Sequence, residues 1–150
     1  DMKMVRKMEG KSAMDILEEA GIHPNRPVRL VVVRTFAKHP LVLEECLMPV
    51  VPLVAAADFD EALEAARFTE QGYRHTAMVH SQCIDRLSKA AKVMNTTIFI
   101  KNGSSLAGIG LNGEEMASFT IANVTGEGIT TARDFACKRS CTLTSGFSLR

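Results

Sequence analysis

Gly72 to Ser81 reads GYRHTAMVHS, and Thr96 to Ser105 reads TTIFIKNGSS. Each stretch is half apolar and strand-like, and together they decide the fold. The two are too far apart for a hairpin, since parallel neighbours need a crossover of a dozen or more residues while antiparallel ones close through a short turn. The intervening SQCIDRLSKAAKVMN sets Ile84, Leu87, Ala91 and Met94 on one helical stripe. The spacing predicts a βαβ unit with strands over Thr76–His80 and Thr96–Lys101, and therefore an α/β fold with a parallel sheet.

On the N-terminal side, Val28–Arg34 (VRLVVVR) reads as a strand whose continuous Leu30–Val33 centre implies burial on both faces. His39 and Pro40 open a short helical turn, and Val50–Ala56 returns as a second apolar strand. Pro52 constrains that strand, because a missing donor is tolerated mainly at edges, ends and bulges. Ser12 can cap a short helix that Gly21 stops. Asp58 begins the clearest helix, with Glu61 three residues on as a capping-box partner, Phe59, Ala62, Leu63 and Ala66 on one face, and Gly72 at its end. Beyond the Thr96–Lys101 strand, Asn102–Gly113 is a Gly- and Ser-rich loop. Ser118–Ala122 is strand-like, Gly126 and Gly128 mark another loop, a short helix is expected over Thr130–Ala136, and a last strand over Cys141–Thr144.

The chain has 150 residues, 46% of them hydrophobic, enough for one domain with a core. Its 18 Lys and Arg against 17 Asp and Glu give a net charge of +1 and no reason to expect nucleic acid or a membrane surface as partner. The basic lean of the final stretch, through Arg133, Lys138, Arg139 and Arg150, reads as solvated surface. The longest apolar run, Leu47–Ala57, is broken by Pro49 and Pro52 and falls short of the ~20 residues a membrane helix needs. The start, DMKMVRKMEGK, lacks the apolar centre of a secretory signal, and its first residue, Asp, suggests a processed or cut product. Cys46, Cys83, Cys137 and Cys141 lack the density of a secreted disulfide scaffold, which points to free thiols in a reducing cytoplasm.

Several motifs carry a chemical reading beside a plainer one. Gly108, Gly110 and Gly113 match GxGxxG, but six residues separate Lys101 from Gly108 and the EEMASFTIANVTGEG stretch after Gly113 is poor helix. A dinucleotide fingerprint is therefore the weaker reading and a flexible loop the stronger. His75 and His80 are five apart and point to opposite strand faces, so they do not share a metal. His75 alone is a candidate pocket residue or a hydrogen-bonded surface histidine. Cys137 and Cys141 lack a second pair for structural zinc. Cys141, near Lys138 and Arg139, is either an activated thiol or a small buried hydrophobe in a strand, the second being the plainer. Glu44 and Glu45 are either a solvated and a capping carboxylate or, in a loop at the carboxyl end of a strand, an acceptor for a ribose hydroxyl. The residues alone leave that choice open.

Taken together, GKSAMDILEEAGI, HPLVLEECLMPVVPLV, DFDEALEAARFTEQGYRHTAMVHS, TTIFIKNGSSLAGIG and FTIANVTGEGITTARDF resemble the C-terminal third of the CoA-acylating aldehyde dehydrogenases, in the wording of the ethanolamine- and propanediol-utilisation enzymes of bacterial microcompartments. The resemblance runs from Gly10 to Arg150. It implies part of an aldehyde dehydrogenase catalytic domain over 1–150, with a strand-bearing tail used between subunits of a homo-oligomer. It also implies oxidation of a short aldehyde with NAD and CoA, through a cysteine thiohemiacetal and thioester, in the cytoplasm or the microcompartment lumen. Glu45, four residues before Pro49, takes the position that holds the nicotinamide ribose in an EExFGP-like turn, and Leu47 the position beside the nicotinamide. His75, Thr76 and Ala77 match a GHTA-like signature, with Arg74 where glycine is often found, which makes His75 a candidate for the substrate or CoA pocket. The nucleophilic cysteine and the Rossmann domain of such enzymes lie upstream of the part matched, so the chain alone is expected to be inactive. Two rival expectations stand beside this: a stand-alone binding or assembly module of the same fold, and a small nucleotide-binding domain using Gly108–Gly113.

Overall fold

The computed structural model describes residues 6–114, 116–118, 120–122, 128–142 and 144. A 3-10 turn at Arg6–Met8 leads to α1 (Ala13–Glu19). The Ser12 hydroxyl accepts the Asp15 N–H at 3.2 Å, and the Asp15 carboxylate accepts the Ser12 N–H at 3.1 Å, so two orphan donors are satisfied reciprocally. Gly21, at φ 71°, follows the helix end in the left-handed region, where a residue without Cβ is favoured.

Two parallel strand pairs come next. β1 (Val31–Thr35) reaches β2 (Val50–Val54) through the one-turn helix α2 (Pro40–Leu43), with Val31 opposite Val50 and Thr35 opposite Val54. Pro40 suits the first helical position because its missing N–H is an orphan there in any case, and His39 Nδ1 accepts the Leu41 N–H at 3.1 Å as cap. α3 (Phe59–Glu70) then carries the chain to β3 (Thr76–Val79), and α4 (Ile84–Met94) carries it on to β4 (Ile98–Lys101), with Thr76 opposite Ile98 and Val79 opposite Lys101. This is the parallel βαβ unit that the spacing predicts. After a 3-10 turn at Ser105–Ile109, β5 (Thr120–Ala122) pairs antiparallel with β6 (Gly128–Thr130).

The core sits on the helix side of β3 and β4. Leu63 of α3 meets Ala90 and Met94 of α4, with Phe59, Ala77, Val79, Val93 and Phe99 packed around them. Because side chains alternate along a strand, Phe99 faces this cluster while its neighbours Ile98 and Ile100, both buried, turn to the opposite face and meet the 105–109 turn.

Several expectations are corrected. The α4 stripe runs through Leu87, Ala90 and Met94; Ile84 is 65% exposed in the first turn. Leu30–Val33 is not buried on both faces: Val32 is 60% exposed, and Val51 and Leu53 of β2 share its open face. α3 ends at Glu70 with Gln71 as left-handed cap, one residue before Gly72, and Glu61 accepts from Ala57 rather than from the capping residue. Thr130–Ala136 is not a helix: Thr130 ends β6, and next to it lies a turn in which Asp134 accepts the N–H and hydroxyl of Thr131. Such local side-chain bonds compete with helix formation. Cys141, Thr142 and Thr144 carry no strand, Leu143 lies outside the described residues, and Cys141 is exposed rather than buried.

The outer face of β1 and β2 is apolar and open, and its Val32, Val51 and Leu53 are of the kind that α/β folds cover with further elements.

Candidate functional site

Glu45 and Leu47 lie in the segment between α2 and β2, entering the amino end of β2; the carboxyl-end placement that would by itself favour a ligand crevice does not hold for them. Several hydrogen bonds hold this segment. Gln71 Nε2 donates to the Leu43 carbonyl at 2.7 Å, the Cys46 thiol to the Glu44 carbonyl at 3.2 Å, and the Gly10 N–H to the Leu47 carbonyl at 3.0 Å. Leu47 itself sits at φ 47°, a region that a branched apolar residue rarely adopts, and its side chain is 64% exposed. The Glu45 side chain is exposed and carries no hydrogen bond among the described residues, so both carboxylate oxygens can accept.

His75 lies one residue before β3. Its Nδ1 is 2.7 Å from the Thr76 hydroxyl, and its carbonyl accepts the Ile98 N–H at 3.0 Å, which locks its backbone into the entrance of the β3–β4 pair. The ring is exposed. The Gln71–Leu43 bond ties the residue after α3 to the last residue of α2, the two helix ends that precede the segments bearing His75 and Glu45. That bond spans 28 positions in sequence, and no local pattern announces it.

Among the cysteines, burial first and then the Glu44 carboxylate push the Cys46 thiol up, away from the thiolate that a nucleophile requires. None of the four cysteines is in a disulfide. The glycine string has a packing explanation. A Cβ on Gly108 would lie 2.5 Å from Ile98 Cγ2, and one on Gly113 would lie 2.4 Å from the Ala107 carbonyl oxygen. The cleft beside β4, lined in part by Lys101, Asn102, Gly103, Gly108 and Gly113, contains neither Glu45 nor His75. Among the described residues, no group of three or more His, Cys, Asp or Glu side chains converges as a metal site would, and no helix is long and apolar enough to cross a membrane.

The fold these elements build is that of the aldehyde dehydrogenases. The chain superposes on a propionaldehyde dehydrogenase of Rhodopseudomonas palustris, solved with CoA and an acylated cysteine, with TM-score 0.82 and 43% identity over 91% of this chain and 31% of that one. A propionaldehyde dehydrogenase from the fucose-utilisation microcompartment of Clostridium phytofermentans gives TM-score 0.82 and 39% identity over 95% and 33% of the two chains. Among curated proteins, the CoA-propanoylating propanal dehydrogenase of Salmonella typhimurium is 50% identical over 146 residues, 97% of this chain and 32% of that protein. The acetylating acetaldehyde dehydrogenase of the same organism is 40% identical over 144 residues, 96% and 31% of the two. No family model matches the chain. The chain therefore spans about a third of the length of these CoA-acylating relatives, as a fragment of an aldehyde dehydrogenase does.

Proposed function

We propose that the chain is the C-terminal part of the catalytic domain of a CoA-acylating aldehyde dehydrogenase. In that reading the intact protein converts a short aldehyde, CoA and NAD to acyl-CoA, NADH and a proton. The observation that carries it is 50% identity across 97% of the chain to a CoA-propanoylating enzyme, together with a shared fold. The raised Cys46 thiol weighs against that cysteine as the nucleophile and the packing role of the glycine string against a dinucleotide fingerprint; in this reading both functions are supplied from outside these residues and the chain alone is inactive. The uncovered apolar face of β1 and β2 favours a severed portion over a stand-alone binding module, because a domain folding alone would leave less surface in water.

Within this reading Glu45 accepts from the nicotinamide ribose, Leu47 gives the ring an aliphatic contact, and His75 faces the substrate or CoA. The bound nicotinamide cofactor supplies hydride acceptance; the chain's own contribution is to orient it. A solved relative of the same fold, an engineered glycolyl-CoA reductase with 43% identity to this chain, holds NADP+. In the same reading the β5–β6 pair belongs to a strand-bearing tail used between subunits of a homo-oligomer, and a relative from a fucose-utilisation microcompartment supports the cytoplasm or a microcompartment lumen as the place of action.

The test is Glu45→Gln in the complete enzyme. The amide keeps one acceptor oxygen but loses the charge, and hydrogen bonds to a charged group contribute ~1.5–3 kcal/mol, so KM for NAD rises or turnover falls by about tenfold or more. Unchanged kinetics would remove Glu45 from the site. A native product of about 50 kDa, the 16.4 kDa of this chain divided by its 32% share of the relative, is the accompanying expectation for the intact mass.

A further inference from the structure

The backbone after α3 is unusual. Gln71 stands at φ 56°, Gly72 at 83° and Arg74 at 52°, so three of four consecutive residues are left-handed and two of those carry a Cβ. Left-handed non-glycine residues persist only where their surroundings over-determine them, and they cluster at functional sites. Here the Glu70 carboxylate does so. Its Oε2 accepts the Gly72 N–H at 2.9 Å, and its Oε1 accepts the Arg74 N–H. The next side chain, Gln71, turns the other way and donates to the carbonyl of Leu43, the last residue of α2 and an orphan acceptor at a helix end. Arg74 and His75 then offer their carbonyls to Thr97 and Ile98 at 2.9 and 3.0 Å, so the strained turn delivers His75 into a fixed strand register.

We propose that Glu70 and Gln71 are positioning residues that set the Glu45–Leu47 turn and the His75 turn against each other. Glu70 shapes the His75 side and Gln71 ties it to the Glu45 side. The inference rests on the functional reading above, in which both turns face one site. Neither side chain touches substrate; each acts through backbone groups of the turn it holds.

The experiment uses the complete enzyme. Wild-type NADH formation with propanal and CoA is measured first, then Gln71→Leu, Gln71→Lys and Glu70→Gln, each with a urea unfolding midpoint. Gln71→Leu keeps volume and loses the donor, and it is expected to raise KM for NAD about tenfold with little change in kcat, inside the ~10²-fold that a misplacement of about 1 Å can cost. Gln71→Lys restores a donor to a helix C-terminal carbonyl and is expected to recover most of that loss. Glu70→Gln, which loses one of two backbone acceptors, is expected to raise KM for CoA and leave KM for NAD nearer wild type. Kinetic constants of Gln71→Leu and Glu70→Gln equal to wild type, or Gln71→Leu changing only the unfolding midpoint, would overturn the inference while leaving the function standing. If Glu70→Gln fails to fold, the Leu and Lys variants at 71 decide it. A wild-type enzyme without CoA-dependent activity would overturn both.

Discussion

Gly108→Ala separates a packing role of the glycine string from a ligand-binding one. The added Cβ would lie 2.5 Å from Ile98 Cγ2 and 3.1 Å from Ile100 Cδ1, the first about 0.9 Å inside an ordinary 3.4 Å contact. Neither isoleucine can swing away easily, because both are 7% exposed and β-branched residues are stiff at χ1. Overpacking of this kind costs about 1–3 kcal/mol. Opening of β4 should therefore become about 5 to 140 times more frequent. Hydrogen exchange read on a peptide spanning Thr96–Asn102 reports it, since the Ile98 amide is held by His75 and the Asn102 amide by Val79. Gly103→Ala, whose nearest contact would be 3.1 Å from Ile100 Cγ2, should accelerate exchange less. If Gly108→Ala left exchange unchanged and abolished nucleotide binding, the packing argument would be refuted and the GxGxxG reading restored.

Leu63→Ala, at the centre of the α3–α4 core, should cost about 2–5 kcal/mol, seen as a lower urea midpoint. Asp58→Ala removes the side-chain acceptor for the Glu61 N–H at 2.9 Å and should destabilise α3 by about 1 kcal/mol, measured as faster exchange of its first-turn amides. Val32→Asp places a charge on the open β1–β2 face. The severed-portion reading predicts loss of soluble complete enzyme, and normal yield would count against it. The Asp134 carboxyl is held below its ordinary value of 3.8 by the Thr131 N–H and then its hydroxyl. A lowered folded value means the tie is fully present above the ordinary Asp range and lost as pH falls through the folded value. The Thr131 amide resonance should thus titrate below pH 3.8 in wild type and stay flat in Asp134→Asn.

Local chemistry makes part of the fold legible in the sequence. The Ser12–Asp15 box and the Asp58 cap need only residues three apart, and the βαβ unit is set by two strand patterns separated by a helix period. Burial of Leu30–Val33 is not legible, because it depends on what covers the strand rather than on the strand's own wording. The turn at Thr131 reads as helix in sequence because periodicity ignores the competition of the Asp134 carboxylate for the Thr131 N–H. Glu45, Leu47 and His75 stand out by resemblance, and the structure adds that the first two side chains point outward. Glu70 and Gln71 give no signal in sequence, since a glutamate and a glutamine ending a helix are ordinary, and only the chain's return past Leu43 gives Gln71 its partner.

The most direct test of the whole reading assays the native gene product that contains this segment for acyl-CoA. Propionyl-CoA and NADH are expected in equal amounts from propanal, CoA and NAD, with neither formed when CoA or the aldehyde is omitted. A native product that binds these compounds without forming the thioester, or binds none of them, would contradict membership of the CoA-acylating branch.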